Sequence, residues 1–150
     1  MPSDAITGRL AAVFERAPGL VAALRNADED TPRAIIAEAR GALDRMTEDE
    51  RIAVLNAHPR IGADPASLSM RSRREQGDAA DGATLQVLDE LNDAYEDNFG
   101  FRFVVFVAGR SKKEIVPVLR ARLTNTRDAE LKAGIEEFLA ISLDRLERKR

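Results

Sequence analysis

The 150-residue chain contains no cysteine, no tryptophan and only one histidine. Without cysteine, disulfides, thiolate zinc sites and cysteine nucleophiles are excluded, and the composition fits a reducing compartment. One imidazole cannot build a histidine-rich metal site, which leaves only a carboxylate site of the magnesium type open. Aromatic residues make up 5% of the chain, so the core must come mainly from Leu, Val, Ile and Ala, a palette that favours helices. No apolar run approaches the roughly 20 residues that span a membrane. The opening MPSDAITGRL lacks the basic-then-apolar order of a signal peptide, and the closing LERKR is not a peroxisomal address, so a cytoplasmic location is expected. The net charge of −3 argues against a nucleic-acid binder, which would normally be basic.

What is present reads as helices. Ile6, Leu10, Val13 and Phe14 have helical spacing over Asp4–Glu15, and Leu20–Arg25 begins a short apolar piece. Thr31 followed by Pro32 is a helix start, because proline is tolerated where the amide has no intrahelical acceptor. Ile35, Ile36, Ala39 and Leu43 then share a face. Thr47 and Glu50 have capping-box spacing, and their helix must end near Ala57 or His58, since a residue preceding proline is pushed out of the α region. Pro59 to about Met70 reads as loop.

A long helix is expected over Thr84–Phe99, with Leu88, Leu91, Tyr95 and Phe99 inward and Gly100 as its stop. FRFVVFV, Phe101–Val107, has strand composition, but a lone strand has no pairing partner. It is read as an extended segment or a buried helix start. Ser111 and Glu114 form another capping box, opening a helix that Pro117 should kink. Leu131, Ile135, Phe138, Leu139 and Leu146 line a closing helix over Asp128–Arg148. The expected fold is all-α, a single irregular domain of about seven or eight helices over residues 1–150.

Three clusters carry candidate chemistry. His58 stands at a helix C-terminus, whose partial negative charge stabilises a protonated imidazole by roughly 0.3–1 kcal/mol. That suits acid–base work near neutral pH, and it equally suits a histidine that merely caps its helix. The run Arg71–Gln76 offers Ser72 and Glu75 at capping-box spacing, with arginines fit for a solvated face. The same residues could converge on a polar ligand, Gln76 supplying both donor and acceptor. The third cluster is the backbone of Phe101–Ser111, flanked by Arg102 and Arg110, either of which can grip a carboxylate with two prongs.

In order along the chain, VFERAP (Val13–Pro18), AHPRIG (Ala57–Gly62), SRREQG (Ser72–Gly77), LNDAYEDNFGFRFVVFVAGRSKKEI (Leu91–Ile115) and the pairs Arg122–Leu123 and Arg145–Leu146 resemble one family. It is that of the OHCU decarboxylases, the 2-oxo-4-hydroxy-4-carboxy-5-ureidoimidazoline decarboxylases. The resemblance covers nearly the whole chain. It implies an all-helical homodimer with no metal or organic cofactor, which takes a ureidoimidazoline to (S)-allantoin in uric acid breakdown.

It further implies that His58 is the acid–base residue, that Glu75 assists the proton transfers, and that the Pro59 backbone helps hold the substrate. Ser72, Arg73, Arg74 and Gln76 would line one wall of the site, and the backbone of Phe103, Val104, Val105, Phe106 and Val107 the other. Arg102, Arg110 and Arg74 are the candidates for the substrate carboxylate. The chain departs from many relatives after Gln76, where GDAADGATL runs a few residues short, and at Arg102, where many have proline. The competing readings are a related lyase acting on another ureide and a helical interaction domain docking an acidic partner through Arg71–Arg74. Neither nucleic acid nor membrane is an expected partner.

Overall fold

A computed structural model describes residues 31–62 and 82–148. Among them the chain is helical, with no strand: α1 (Pro32–Arg45), α2 (Glu48–Asn56), α3 (Gly82–Phe99), α4 (Lys112–Arg122) and α5 (Arg127–Arg148). The described residues thus hold five helices rather than the seven or eight expected. The expected helices at Asp4–Glu15 and Leu20–Arg25 lie outside the described residues, as does the run Arg71–Gln76. The chain divides into two compact units, with boundaries after His58 and after Glu137.

The first unit takes in α1, α2 and the part of α5 from Phe138 onward. Thr31 caps α1 by accepting from the Ala34 amide at 3.2 Å, and Pro32 follows as the first helical residue. Ile35, Ile36, Ala39, Ala42 and Leu43 are buried along one face, the 3–4 spacing that an amphipathic helix requires. Both arms of the predicted capping box on α2 are present: the Thr47 hydroxyl accepts from the Glu50 amide at 3.2 Å, and Glu50 accepts from the Thr47 amide at 3.1 Å. Arg51 closes the turn between α1 and α2 by donating to the carbonyls of Leu43 and Met46, at 3.4 and 3.1 Å. Both carbonyls lie at the end of α1, where acceptors run short of intrahelical donors; that of Leu43 also accepts from the Met46 amide at 3.1 Å.

In the second unit, Pro59–Glu137, α3 packs against α4. The buried stripe of α3 is Leu88, Asn92, Tyr95 and Phe99. The expected Leu91 is only half-buried, and a polar residue takes the inward place. Gly100 ends the helix at φ +81°, a left-handed conformation that costs glycine little. Ser111 and Glu114 cap α4 reciprocally as predicted, and the helix continues through Pro117, an exposed residue.

Phe101–Val107 has no regular secondary structure, is mostly buried, and pairs with no strand among the described residues. Its composition is satisfied by packing. Tyr95 meets the rings of Phe99, Phe101 and Phe103 at centroid distances of 4.6, 6.0 and 5.3 Å. Its backbone is satisfied by side chains, since buried amides and carbonyls need partners wherever they can find them. The Arg122 guanidinium donates to the Val104 carbonyl at 2.7 Å, and Glu137 accepts from the Phe106 amide at 3.3 Å. The segment closes in a turn at Ala108 and Gly109, both with positive φ.

Candidate active site

His58 follows the α2 cap residue Ala57, and its amide donates to the Leu55 carbonyl at 3.1 Å. The helix therefore stops where the following proline requires. The residue is only 7% exposed. Within its unit the imidazole meets Phe138 edge-on, at 6.2 Å between centroids and 83° between planes. Phe138 lies in a buried stripe on α5 with Ser142 and Arg145, spaced i, i+4 and i+7 and so on one face. The Ser142 hydroxyl donates back to the Phe138 carbonyl at 2.9 Å. Arg145, 2% exposed, is the largest fully buried side chain described.

Beyond His58, the next residues are tied to α3. All three guanidinium nitrogens of Arg60 meet carboxylates: Nε meets Glu96 at 2.7 Å, Nη1 meets Asp89 at 3.2 Å and Nη2 meets Asp93 at 2.7 Å. The hydrogen bond that Arg60 donates to Glu96 is the main reason the Arg60 pKa rises above its ordinary value. The Asn92 amide donates to the Ile61 carbonyl at 3.1 Å, and the Ile61 side chain is buried. Gly62 has φ +85°, and a Cβ there would stand 3.2 Å from the Leu88 side chain. Three successive residues thus use one face of one helix.

The second predicted element, Phe103–Val107, is held by two arginines. Arg110 turns back on its own segment, donating from Nη2 to the Phe106 carbonyl at 2.6 Å and from Nε to the Val107 carbonyl at 2.9 Å. Arg122 reaches Val104 while its guanidinium lies 4.5 Å from the centre of the Phe103 ring. Its Nε pairs with Glu130 at 2.8 Å. Glu130, fully buried, also accepts from the Tyr95 hydroxyl at 2.6 Å and from the Asn125 amide at 2.8 Å. Arg102 is half-buried between buried Phe101 and Phe103.

Ser72, Arg73, Arg74, Glu75 and Gln76 lie outside the described residues. Among the described residues, no three histidine, aspartate or glutamate side chains converge as a metal would require. A family model described as OHCU decarboxylase matches residues 1–147. The chain belongs to the OHCU decarboxylase family.

Three relatives and one solved structure illustrate the likeness. The uric acid degradation bifunctional protein of Bacillus subtilis is 32% identical over 97% of this chain. The chain spans only 22% and 30% of the two bifunctional Bacillus proteins it matches. A 2-oxo-4-hydroxy-4-carboxy-5-ureidoimidazoline decarboxylase of Haloferax volcanii is 23% identical over 97% of this chain and 89% of its own length. A crystal structure of an OHCU decarboxylase obtained in the presence of (S)-allantoin superposes with a TM-score of 0.75 and 23% identity. That match covers 94% of this chain and 96% of the other.

Two polar residues of this OHCU decarboxylase family member escaped the periodicity reading. Asn92 takes the place in the buried α3 stripe that was assigned to Leu91. Arg145 sits in the buried α5 stripe, where only its neighbour Leu146 was expected. A signal was available for both: Asn92 lies four residues after Leu88 and three before Tyr95, and Arg145 lies four after Ile141, so each shares a helix side with apolar residues.

Proposed function

We propose that this protein decarboxylates 2-oxo-4-hydroxy-4-carboxy-5-ureidoimidazoline to (S)-allantoin in uric acid degradation. The observation that carries this reading is the family match along residues 1–147, which takes in His58 and every other predicted site residue. The same continuous match supports treating the chain as one domain.

The substrate supplies its own electron sink, which makes a cofactor dispensable. The carbon bearing the carboxylate adjoins a ring C=N bond. When the bond to the carboxylate breaks, its electron pair forms a carbon–carbon double bond, the C=N electrons move to nitrogen, which takes up a proton, and carbon dioxide leaves. The resulting enol loses its hydroxyl proton and gains a proton on carbon, giving allantoin. The protein's task is to orient the ring, desolvate the departing carboxylate and deliver the proton to one face.

In this reading His58 manages the hydroxyl proton. Its place at the α2 terminus and its burial against Phe138 support the role, because both limit the ring's freedom and its solvation. Glu75 assists, Gln76 and Ser72 bind the ureido and ring amide groups beside Arg73, and the Pro59 backbone holds the ring. The Phe103–Val107 backbone contributes through groups not already spent on Arg110, Arg122 and Glu137. Arg110 uses two guanidinium nitrogens on its own loop, which weakens its case as the carboxylate clamp relative to Arg74 and Arg102. Arg145 joins these candidates, as a buried guanidinium on the α5 face that carries Phe138.

The protein works without metal or organic cofactor, as a homodimer in the cytoplasm, with neither nucleic acid nor membrane as a partner. No described helix is long and apolar enough to cross a membrane. Replacing His58 by asparagine tests the central role. Turnover should fall by about 10²–10⁴, the usual worth of acid–base catalysis, while the circular dichroism of the folded chain stays unchanged. Retained wild-type turnover would remove His58 from the mechanism.

A further inference from the structure

We propose that Arg60 is a positioning residue, whose clamp on Asp89, Asp93 and Glu96 fixes the Pro59 main chain for substrate binding. The proposal rests on the decarboxylase reading and extends it to a residue to which that reading gives no role.

The argument begins with the cost of exposure. Ion pairs exposed to solvent contribute little to stability, and the Asp89 and Asp93 side chains are 72% and 62% exposed. A fold seeking stability alone gains little by spending three carboxylates on one guanidinium there. The gain is geometric. Three acceptors in different directions hold every guanidinium nitrogen, so the side chain has one arrangement instead of a set of equivalent rotamers. Only arginine offers a planar fork that can be held this way, whereas lysine would place a single charge among the three acids.

The neighbouring contacts serve the same end. Asn92 holds the Ile61 carbonyl, and Gly62 closes on Leu88. The anchoring residues are Leu88, Asp89, Asn92, Asp93 and Glu96, consecutive along one side of α3. Pro59 is joined directly to this anchored segment. Its ring locks φ, and the residue before it is confined to few conformations. A displacement of Arg60 is therefore passed to the Pro59 peptide with little loss through flexible torsions. The motif AHPRIG divides accordingly: His-Pro faces the chemistry, and Arg-Ile-Gly sets the position.

The test is steady-state kinetics on freshly prepared substrate for the wild type, Arg60→Ala, Arg60→Lys and Glu96→Gln, with a thermal melt of each. Amide hydrogen exchange at Ile61 and Gly62 is measured in parallel. Arg60→Ala should lower kcat/KM about ten- to hundredfold, the scale of a small misplacement, with most of the loss in KM. Exchange at the two amides should quicken while the melting temperature moves little. Glu96→Gln and Arg60→Lys should fall between Arg60→Ala and the wild type.

An Arg60→Ala protein with wild-type kcat/KM and exchange overturns the proposal. So does a loss of kcat/KM no larger than the loss of folded protein. The wild-type assay separates the two layers. If the wild type forms no optically active allantoin, the decarboxylase reading fails. If it does and Arg60→Ala matches it, only the positioning role fails.

Discussion

Arg122 donates from Nη1 to the carbonyl of Val104 at 2.7 Å, across eighteen residues of chain. This contact satisfies one carbonyl of Phe101–Val107, a segment that pairs with no strand among the described residues. The guanidinium is in turn held by Glu130, whose carboxylate takes three donors in a fully buried position. Removing one partner from a buried pair of this kind leaves the other charge uncompensated.

Removing Arg122 should therefore be expensive. Arg122→Met leaves the buried Glu130 carboxylate without its cation, and breaking such a pair costs about 3–5 kcal/mol. Chemical denaturation should show that loss at unchanged m-value. Arg122→Met paired with Glu130→Leu should recover part of it, since no unpaired charge then remains.

Tyr95 gives the network an optical signal. It is the only tyrosine in a chain without tryptophan. Burial raises its pKa well above 10.0, and its hydrogen bond to Glu130 raises it further. A raised folded-state pKa contributes stability that is complete below the unfolded value near 10 and is lost as pH climbs above it. Near-ultraviolet titration should show no tyrosinate until the protein unfolds in alkali. Tyr95→Phe should flatten the alkaline decline in stability. Ordinary titration of Tyr95 in the folded chain would contradict the buried geometry.

At acid pH the informative group is Glu50. Its hydrogen bonds to the Thr47 backbone and hydroxyl hold its carboxyl below the usual value of 4.5. The sign is opposite to that of Tyr95: the contribution is present above the unfolded pKa and lost as pH falls through the folded one. Thr47→Ala should remove roughly 1 kcal/mol at neutral pH, the common worth of an N-cap. Glu50→Gln should reduce the acid sensitivity of the thermal midpoint.

Arg145→Lys probes the buried α5 stripe. Lysine keeps the charge but loses the two-pronged grip on a carboxylate. A rise in KM larger than any fall in kcat is expected if Arg145 meets the substrate carboxylate. An unchanged KM in a folded variant returns that role to Arg74 or Arg102.

Much of the fold was legible because local rules and packing agreed. The Thr31–Pro32 start, the boxes at Thr47/Glu50 and Ser111/Glu114, and the Gly100 stop are all present as read. Phe101–Val107 was read as an extended segment or a buried helix start; it is not helical, and what would satisfy its backbone was not foreseen. Its partners, Arg110, Arg122 and Glu137, follow from tertiary placement that no periodicity encodes. Asn92 shows the same limit from the other side. Leu91 looked like the inward residue because it is apolar, yet the inward position serves the Ile61 carbonyl. The Arg60 clamp was hidden because acids at 89, 93 and 96 are also what an ordinary solvated helix face carries. The ordered motifs pointed to the family, and the structure then supplied the supports behind them.

The most direct measurement is circular dichroism of the product formed from freshly generated 2-oxo-4-hydroxy-4-carboxy-5-ureidoimidazoline, with no metal or cofactor added. The account predicts rapid growth of the (S)-allantoin signal in proportion to enzyme, and its near loss with His58→Asn. Racemic allantoin appearing at the uncatalysed rate, with the wild-type protein present, would contradict it.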